Sequence, residues 1–341
     1  MTLRSFMSIG LSFVVGTALA DHIQLNPDHP DRYTVVRGDT LWDISGRFLS
    51  KPWQWPEIWH NNPHIQNPHL IYPGDVIALS YVNGEPRLQV ETPSEVRLSP
   101  EVRVSPIERA IPVIPMDAIR QFLSRPRVVS ERELREAPYI VDFVDEHIVG
   151  GNGDRVYVRA IEEGTTQAFT VFRPGTPYRD AVTGDILGYE AVYVADSQLE
   201  RAGDPATLLL TRGEREAIIG DRLLPVEQEK IQLRFEPHAP DRPMEAHIIG
   251  VLDGVSQIGQ YQVVVIDKGT ADGIETGHVL DIYQKGRPIR DIVSQRPGET
   301  VMSPPEHAGT LMIFRPFERV SYALIMKATR AIHVLDLAAN P

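Results

Sequence analysis

Between residues 33 and 80 the apolar positions change period twice. A short β-branched run at 34–36 suits a strand. Leu41, Ile44 and Phe48 then recur at helical spacing and give one apolar face. Arg37-Gly38-Asp39 supplies the turn between them. Thr40 stands three residues before Asp43, which predicts a capping-box-like helix start. Gly46 inside this helix costs about 1 kcal/mol relative to alanine, so the helix depends on tertiary packing. Pro56 at a first helical position, Glu57 in the first turn and Pro63 beyond the end predict a second short helix. Pro73-Gly74-Asp75 makes another turn, and residues 76–79 close the unit as a strand. The order is strand, helix, helix, strand.

Downstream the pattern is interrupted by prolines at 86, 93, 100, 106, 112, 115 and 126. Within this stretch Glu95-Val-Arg-Leu-Ser-Pro100 is followed by a near copy, Glu101-Val-Arg-Val-Ser-Pro106. Proline at this density blocks helix and central strand and favours extended chain. The stretch reads as a semi-rigid spacer. The alternation of Val96, Leu98, Val102 and Val104 with charged residues also suits a strand-like recognition segment. Short helices are expected at 117–123 and, from the Ser130-x-x-Glu133 capping box, over a turn or two ending at Pro138.

Beyond Tyr139 the period becomes that of strands, expected at 139–144, 155–160, 168–172, 187–195 and 206–210. Turns are expected at Gly150-Gly-Asn-Gly153, Gly175, Gly184-Asp185 and Gly203-Asp204, and one helical turn at 214–219. From Met244 the same grammar predicts strands at 246–252, 261–267, 278–283, 309–314 and 320–328. A turn-then-strand phrase recurs as Gly74-Asp-Val-Ile77, Gly184-Asp-Ile-Leu187, Gly220-Asp-Arg-Leu223 and Gly277-His-Val-Leu280. It reads as a shared turn solution in which glycine takes the left-handed position. The fold class is α+β: a small βααβ module, a proline-rich linker with short helices, and a mainly β half of two small domains.

Composition narrows the function. A formal net charge of −12 over 341 residues argues against a nucleic-acid partner, which needs clustered Lys and Arg. Arg4, the apolar run at 6–16 and Ala18-Leu19-Ala20 before Asp21 read as a cleaved secretory leader, too short and too glycine-rich to span a bilayer. There is no cysteine, so an exported chain holds its domains together by burial alone. The expected division is leader 1–20, small module 30–82, linker 83–135, β-rich middle domain 136–228 and β-rich C-terminal domain 229–341.

Tyr33-Thr-Val-Val-Arg-Gly-Asp-Thr-Leu41 and Asn67-Pro-His-Leu-Ile-Tyr-Pro-Gly-Asp75 resemble the two ends of the LysM family's module, which binds N-acetylglucosamine-containing glycans. The middle departs from the family pattern, because Lys51-Pro-Trp-Gln-Trp-Pro56 lengthens the helix connection and Trp59 replaces a more ordinary residue. The resemblance implies a glycan groove between two loops. Gly38, Asp39, Thr40 and Leu41 form one side; Pro68, His69, Leu70, Ile71 and Tyr72 form the other. An uncharged acetamido sugar needs backbone N–H and C=O groups for its amide, a small residue for close approach and apolar walls. Leu41, Ile71 and Tyr72 equally suit a core.

Catalytic patterns are weak. The lack of cysteine removes cysteine peptidases and transpeptidases. No serine stands three residues before any of the five lysines, and Gly254-Val-Ser256-Gln-Ile-Gly259 lacks the spacing of a nucleophile elbow. His60, His64 and His69 cluster in sequence, but Pro63 separates the faces of the first two, so capping, exposure or glycan contact is expected over a metal site. Among 46 carboxylates nothing marks out a glycosidase pair. No catalytic residue, metal or cofactor is expected.

The whole order, with the tail phrase Val263-Val-Val-Ile-Asp-Lys-Gly-Thr-Ala-Asp-Gly-Ile-Glu-Thr-Gly-His-Val-Leu280, is similar to the LysM-containing secretin-associated proteins of type IV pili. Their C-terminal region is similar to that of a flagellar T-ring protein. This resemblance implies a periplasmic, non-enzymatic anchor that holds peptidoglycan at one end and the outer-membrane pilus secretin at the other, in several copies around a ring. Many weak modules in a ring would gain avidity without new contacts. The alternatives are a wall hydrolase or hydrolase activator, and a general envelope protein with another outer-membrane partner.

Overall fold

The structure is a computed structural model that describes residues 23–59, 71–91, 110–124, 127–162, 164, 166–226, 235–252, 258–294, 296 and 298–341. The expected leader, the 95–106 repeat and His60, His64 and His69 lie outside the described residues.

In the N-terminal unit β1 (Arg32–Thr34) pairs antiparallel with β2 (Val76–Val82), Tyr33 opposite Ile77. Helix α1 (Leu41–Phe48) starts as its sequence requires: Thr40 Oγ1 accepts from the Asp43 N–H at 3.1 Å and donates to Asp43 Oδ2 at 2.7 Å. Leu41, Ile44 and Phe48 are fully buried. A 3-10 turn at Pro52–Gln54 leads into α2 (Trp55–Trp59). The lengthened tryptophan-rich connection fills the core, since Trp53, Trp55 and Trp59 are all buried. β2 then runs past residue 79 and turns at Asn83-Gly84 into β3 (Glu85–Glu91), with Leu79 opposite Leu88. The stretch expected to be spacer therefore opens with a third strand. Pro86 is accommodated because β3 is an edge strand, where a missing N–H leaves no ladder bond unmade.

After α3 (Met116–Ser124), β4 (Arg127–Val129) and α4 (Glu131–Glu136), β-structure dominates. The Ser130–Glu133 capping box forms in both directions, at 3.1 and 2.8 Å. β5 (Tyr139–Phe143), β6 (Arg155–Arg159), β7 (Ala168–Arg179), β8 (Ile186–Arg201), β9 (Ala206–Gly213) and β10 (Arg222–Pro225) join β4 in one sheet. Its order is β4-β8-β7-β10-β5-β6-β9, and an additional β8–β9 pairing brings the order back on itself. Two expectations fail here. Gly175 lies inside β7 at a register shift and not at a turn; glycine suits the position because a Cβ there would sit 2.9 Å from the Val192 side chain. Residues 214–219 form no helical turn; Ala217 exchanges both backbone hydrogen bonds with Gly150 instead.

The C-terminal unit comprises β11 (Glu245–Val251), β12 (Val263–Ile266), β13 (Val279–Gln284), β14 (Pro288–Arg290), β15 (Thr300–Met302), β16 (Glu306–Pro316), β17 (Ser321–Ala328) and β18 (Leu337–Ala339). Six of them close a barrel in the order β11-β12-β17-β16-β13-β18, while β14 and β15 pair as a separate hairpin. Val264, Ile266, Leu280, Ile282, Leu311, Ile313, Ala323 and Ile325 form one cluster. Their neighbours Val263, Val265, Met312, Tyr322, Leu324 and Met326 belong to a different one, shared with Leu41, Trp42, Ile114, Ile119 and Phe122. β12 and most of β17 are thus buried on both faces, which is why they read as continuous apolar runs and not as alternation. Each such Val, Leu or Ile contributes about 1.5–3 kcal/mol on burial. The N-terminal unit and the barrel are further joined by Tyr261 Oη donating to Asp43 Oδ1 at 2.9 Å, and α3 is joined to the barrel by Arg315 Nη1 donating to the Phe122 carbonyl at 3.1 Å.

One turn recurs through all three units. Asp39, Asp75, Asp154, Asp221 and Asp336 each accept the N–H of the residue three places earlier through a side-chain oxygen. Each also donates its own N–H to that residue's carbonyl. The residue before the aspartate has positive φ in every case. This two-way clamp explains the Gly-Asp phrase at Gly74 and Gly220, whereas Asp185 after Gly184 bonds Thr183 instead; at Gly74 φ is +97°, a conformation other residues adopt only under strain.

Glu190 on β8 is half-buried, and burial raises its carboxyl pKa, with Arg215 opposing. A folded-state pKa above the unfolded one means that ionised Glu190 disfavours the fold once the pH exceeds the folded value. Below the unfolded value the two states are protonated alike. Glu190→Gln is accordingly expected to raise the thermal midpoint at pH 7, with the gain fading as the pH falls to about 4. Thermal unfolding followed at both pH values checks this; a gain that persists undiminished in acid would contradict it.

Candidate glycan-binding site

Two loops face each other at the N-terminal end of α1. In the first, Val36, Arg37, Gly38 and Asp39 form the clamped turn, with the Val36 N–H 2.9 Å from Asp39 Oδ2. Tyr33 Oη donates to the same carboxylate oxygen at 3.0 Å, and the Arg47 guanidinium lies 4.4 Å above the Tyr33 ring. Burial, then the Asp39 contact, raises the Tyr33 pKa, so its hydroxyl stays a donor. In the second loop the Tyr72 N–H donates to Asp75 Oδ2 at 2.9 Å. The bases of the loops are tied together: the Val35 N–H donates to the Asp75 carbonyl and the Gly74 N–H to the Val35 carbonyl, both at 2.8 Å.

The sequence-predicted residues divide into three groups. Gly38 and Asp39 shape the first turn, and Asp39 directs its carboxylate to the Val36 N–H and the Tyr33 hydroxyl. Thr40 is the buried helix cap. Leu41 and Ile71 are fully buried and Tyr72 half-buried, so the first two are core side chains that present only backbone to the groove. Pro68, His69 and Leu70 lie outside the described residues.

A third element, missed in the sequence, stands between the loops. The Ile111 N–H donates to the Ile71 carbonyl at 2.9 Å. The Pro112 carbonyl accepts from the Leu41 N–H at 3.0 Å, and the Val113 carbonyl from the Trp42 N–H at 3.1 Å. Ile111, Val113 and Ile114 are buried, and Pro112 is exposed. The first two N–H groups of α1, which no helix can satisfy internally, are thus met by the chain itself.

Away from this site the barrel brings His238 and His278 together, ring centroids 4.7 Å apart, with Glu275 close enough for the three to hold a metal ion. The hydrogen bonding gives another role to His278. The Glu275 N–H donates to His278 Nδ1 at 3.1 Å, which places the neutral ring's proton on Nε2 and leaves it no free lone pair. Burial, and next the neighbouring His238, lowers the His278 pKa, so the ring is held neutral. His278 follows Gly277, with φ +99°, and takes the turn-clamping place that aspartate has elsewhere.

Residues 33–80 match the LysM domain family, and the chain carries a LysM domain there. A LysM domain implies peptidoglycan binding and association with the cell wall. The chain is also 37% identical over 60 residues to the uncharacterized protein YqbP of Bacillus subtilis (strain 168), an alignment covering 15% of this chain and 27% of that protein. The match thus spans about a quarter of that relative's length.

Proposed function

We propose that this protein is a non-enzymatic anchor that binds peptidoglycan through its LysM domain and holds an outer-membrane type IV pilus secretin through its β-rich part. The observation that carries the reading is the LysM domain itself, with its two loops tied base to base. The shared apolar core and the Tyr261–Asp43 hydrogen bond support mechanical continuity between that domain and the barrel, as a load-carrying tether needs. Among the described residues the buried carboxylates have backbone or ion-pair partners, which fits a structural use. Asp221 is paired with Arg173 and clamps a turn; Asp267 accepts from the His247 N–H; Asp336 accepts from the Lys285 and His333 N–H groups.

The likeness of residues 263–280 to a flagellar T-ring protein supports the secretin as partner. The β14–β15 hairpin offers a surface for it, since Ile292 and Val293 at its tip are 87% and 86% exposed and Met302 is 62% exposed. Changing Ile292 and Val293 together to aspartate is expected to abolish co-purification of the secretin with the protein while leaving sedimentation with the wall intact. Secretin recovery undiminished by the double change would remove the hairpin from the interface. Failure of the unaltered protein to recover secretin would remove the pilus reading. Release of soluble muropeptides from purified wall by the pure protein would favour the hydrolase alternative.

A further inference from the structure

Three groups of α1 and the second loop define what the LysM groove asks of an occupant. The Leu41 and Trp42 N–H groups need acceptors, because they open the helix and have no partner within it. The Ile71 carbonyl needs a donor. The Asp43 N–H is already capped by Thr40 and asks for nothing. An acetamido group on a sugar brings one acceptor and one donor, together with a methyl group for the apolar wall. Residues 111–114 bring the same kinds of group: a donor from Ile111 to Ile71, acceptors from Pro112 and Val113 to Leu41 and Trp42, and the buried side chains of Ile111, Val113 and Ile114.

The sequence suits this task. Pro112 fixes its own φ and disfavours helix at Ile111, and Pro115 does the same to Ile114, so the segment stays extended between the loops. Having no N–H, Pro112 adds no donor that the groove would leave unmet. The same segment leads into α3, whose Phe122 carbonyl is held by Arg315 of the barrel.

We propose that residues 111–114 are a built-in strap that occupies the LysM groove, so that the strap and an N-acetylglucosamine-containing glycan compete for the Leu41, Trp42 and Ile71 backbone groups. This rests on the reading of the LysM domain as the wall-binding part. Glycan affinity is then the intrinsic affinity reduced by the fraction of molecules with the strap withdrawn. Because α3 carries the strap and contacts the barrel, a partner that shifts α3 would also change wall binding.

The test titrates the full chain with an N-acetylglucosamine hexamer, comparing the unaltered protein with Val113→Asp. The variant places an ionised carboxylate at a buried apolar position and so expels the strap. Apparent affinity is expected to rise at least tenfold, the factor by which the strap is taken to hold the groove closed. An unchanged or lower affinity, with hexamer still bound by the unaltered protein, would overturn the strap while leaving the glycan reading in place. No binding by either protein would overturn both. Should Val113→Asp not fold, residue-resolved amide exchange on the unaltered protein decides instead. Saturating hexamer should speed exchange of the Ile111 N–H at least tenfold while the Leu41 and Trp42 amides stay protected. An Ile111 amide that remains protected in the hexamer complex contradicts the strap.

Discussion

Thr40→Arg is expected to lower binding of the full chain to purified peptidoglycan at least tenfold without unfolding the β-rich half. Thr40 is 3% exposed and caps α1 directly after the clamped turn, so an arginine there cannot be housed without moving the turn or the start of the helix. The substitution also removes the Oγ1 acceptor of the Asp43 N–H, a cap whose loss costs about 1 kcal/mol. Either effect displaces the Leu41 and Trp42 N–H groups from the positions that hold an occupant. Thr40→Ser keeps the cap and the space, and should bind as the unaltered protein does. Sedimentation with the wall, run beside thermal unfolding, separates loss of the groove from loss of the fold. Undiminished binding by Thr40→Arg would place the glycan site elsewhere.

Gly277→Ala is expected to destabilise the barrel by about 3–5 kcal/mol, in the range reserved for changes with a definite steric cause. Gly277 has φ +99°, and a Cβ there would stand 2.3 Å from the Glu236 carbonyl oxygen. Neither the backbone conformation nor the contact can relax cheaply, because the residue is pinned on both sides. Its N–H donates to the Ile313 carbonyl at 2.8 Å, and its carbonyl accepts from the His238 N–H at 3.1 Å. Denaturant unfolding of the full chain measures the loss. A cost below about 1 kcal/mol would mean that the 236–238 segment yields freely, contrary to its hydrogen bonding.

The parts of the fold legible in the sequence are those set by local chemistry. The Thr40 cap, the Ser130–Glu133 capping box and most strands after Tyr139 follow from spacing alone. So does the Gly-Asp turn, whose aspartate function is visible only in the structure. Asn83-Gly84 is a strong hairpin signal as well, set against the spacer-like prolines that follow it. The failures have tertiary causes. Gly175 reads as a turn residue, yet it serves a close strand approach at Val192. Residues 214–219 read as helical until Gly150, far away in sequence, supplies their backbone partners.

The site was legible only in part for the same reason. Leu41 and Ile71 carry the family resemblance, and both of the roles their side chains could take, wall or core, are apolar. What they offer the groove is backbone, which has no sequence signature. Residues 111–114 carry no signal beyond Pro112. Three hydrogen bonds to groups 40 or more residues distant make them part of the site. The His238–His278 pair is likewise assembled by the barrel.

The most direct test of wall binding through the LysM domain is sedimentation of the full chain with purified peptidoglycan, with and without excess N-acetylglucosamine hexamer. The protein should pellet with the wall and return to the supernatant when hexamer is added. A protein that stays in solution throughout, or that pellets equally with and without hexamer, would contradict the account.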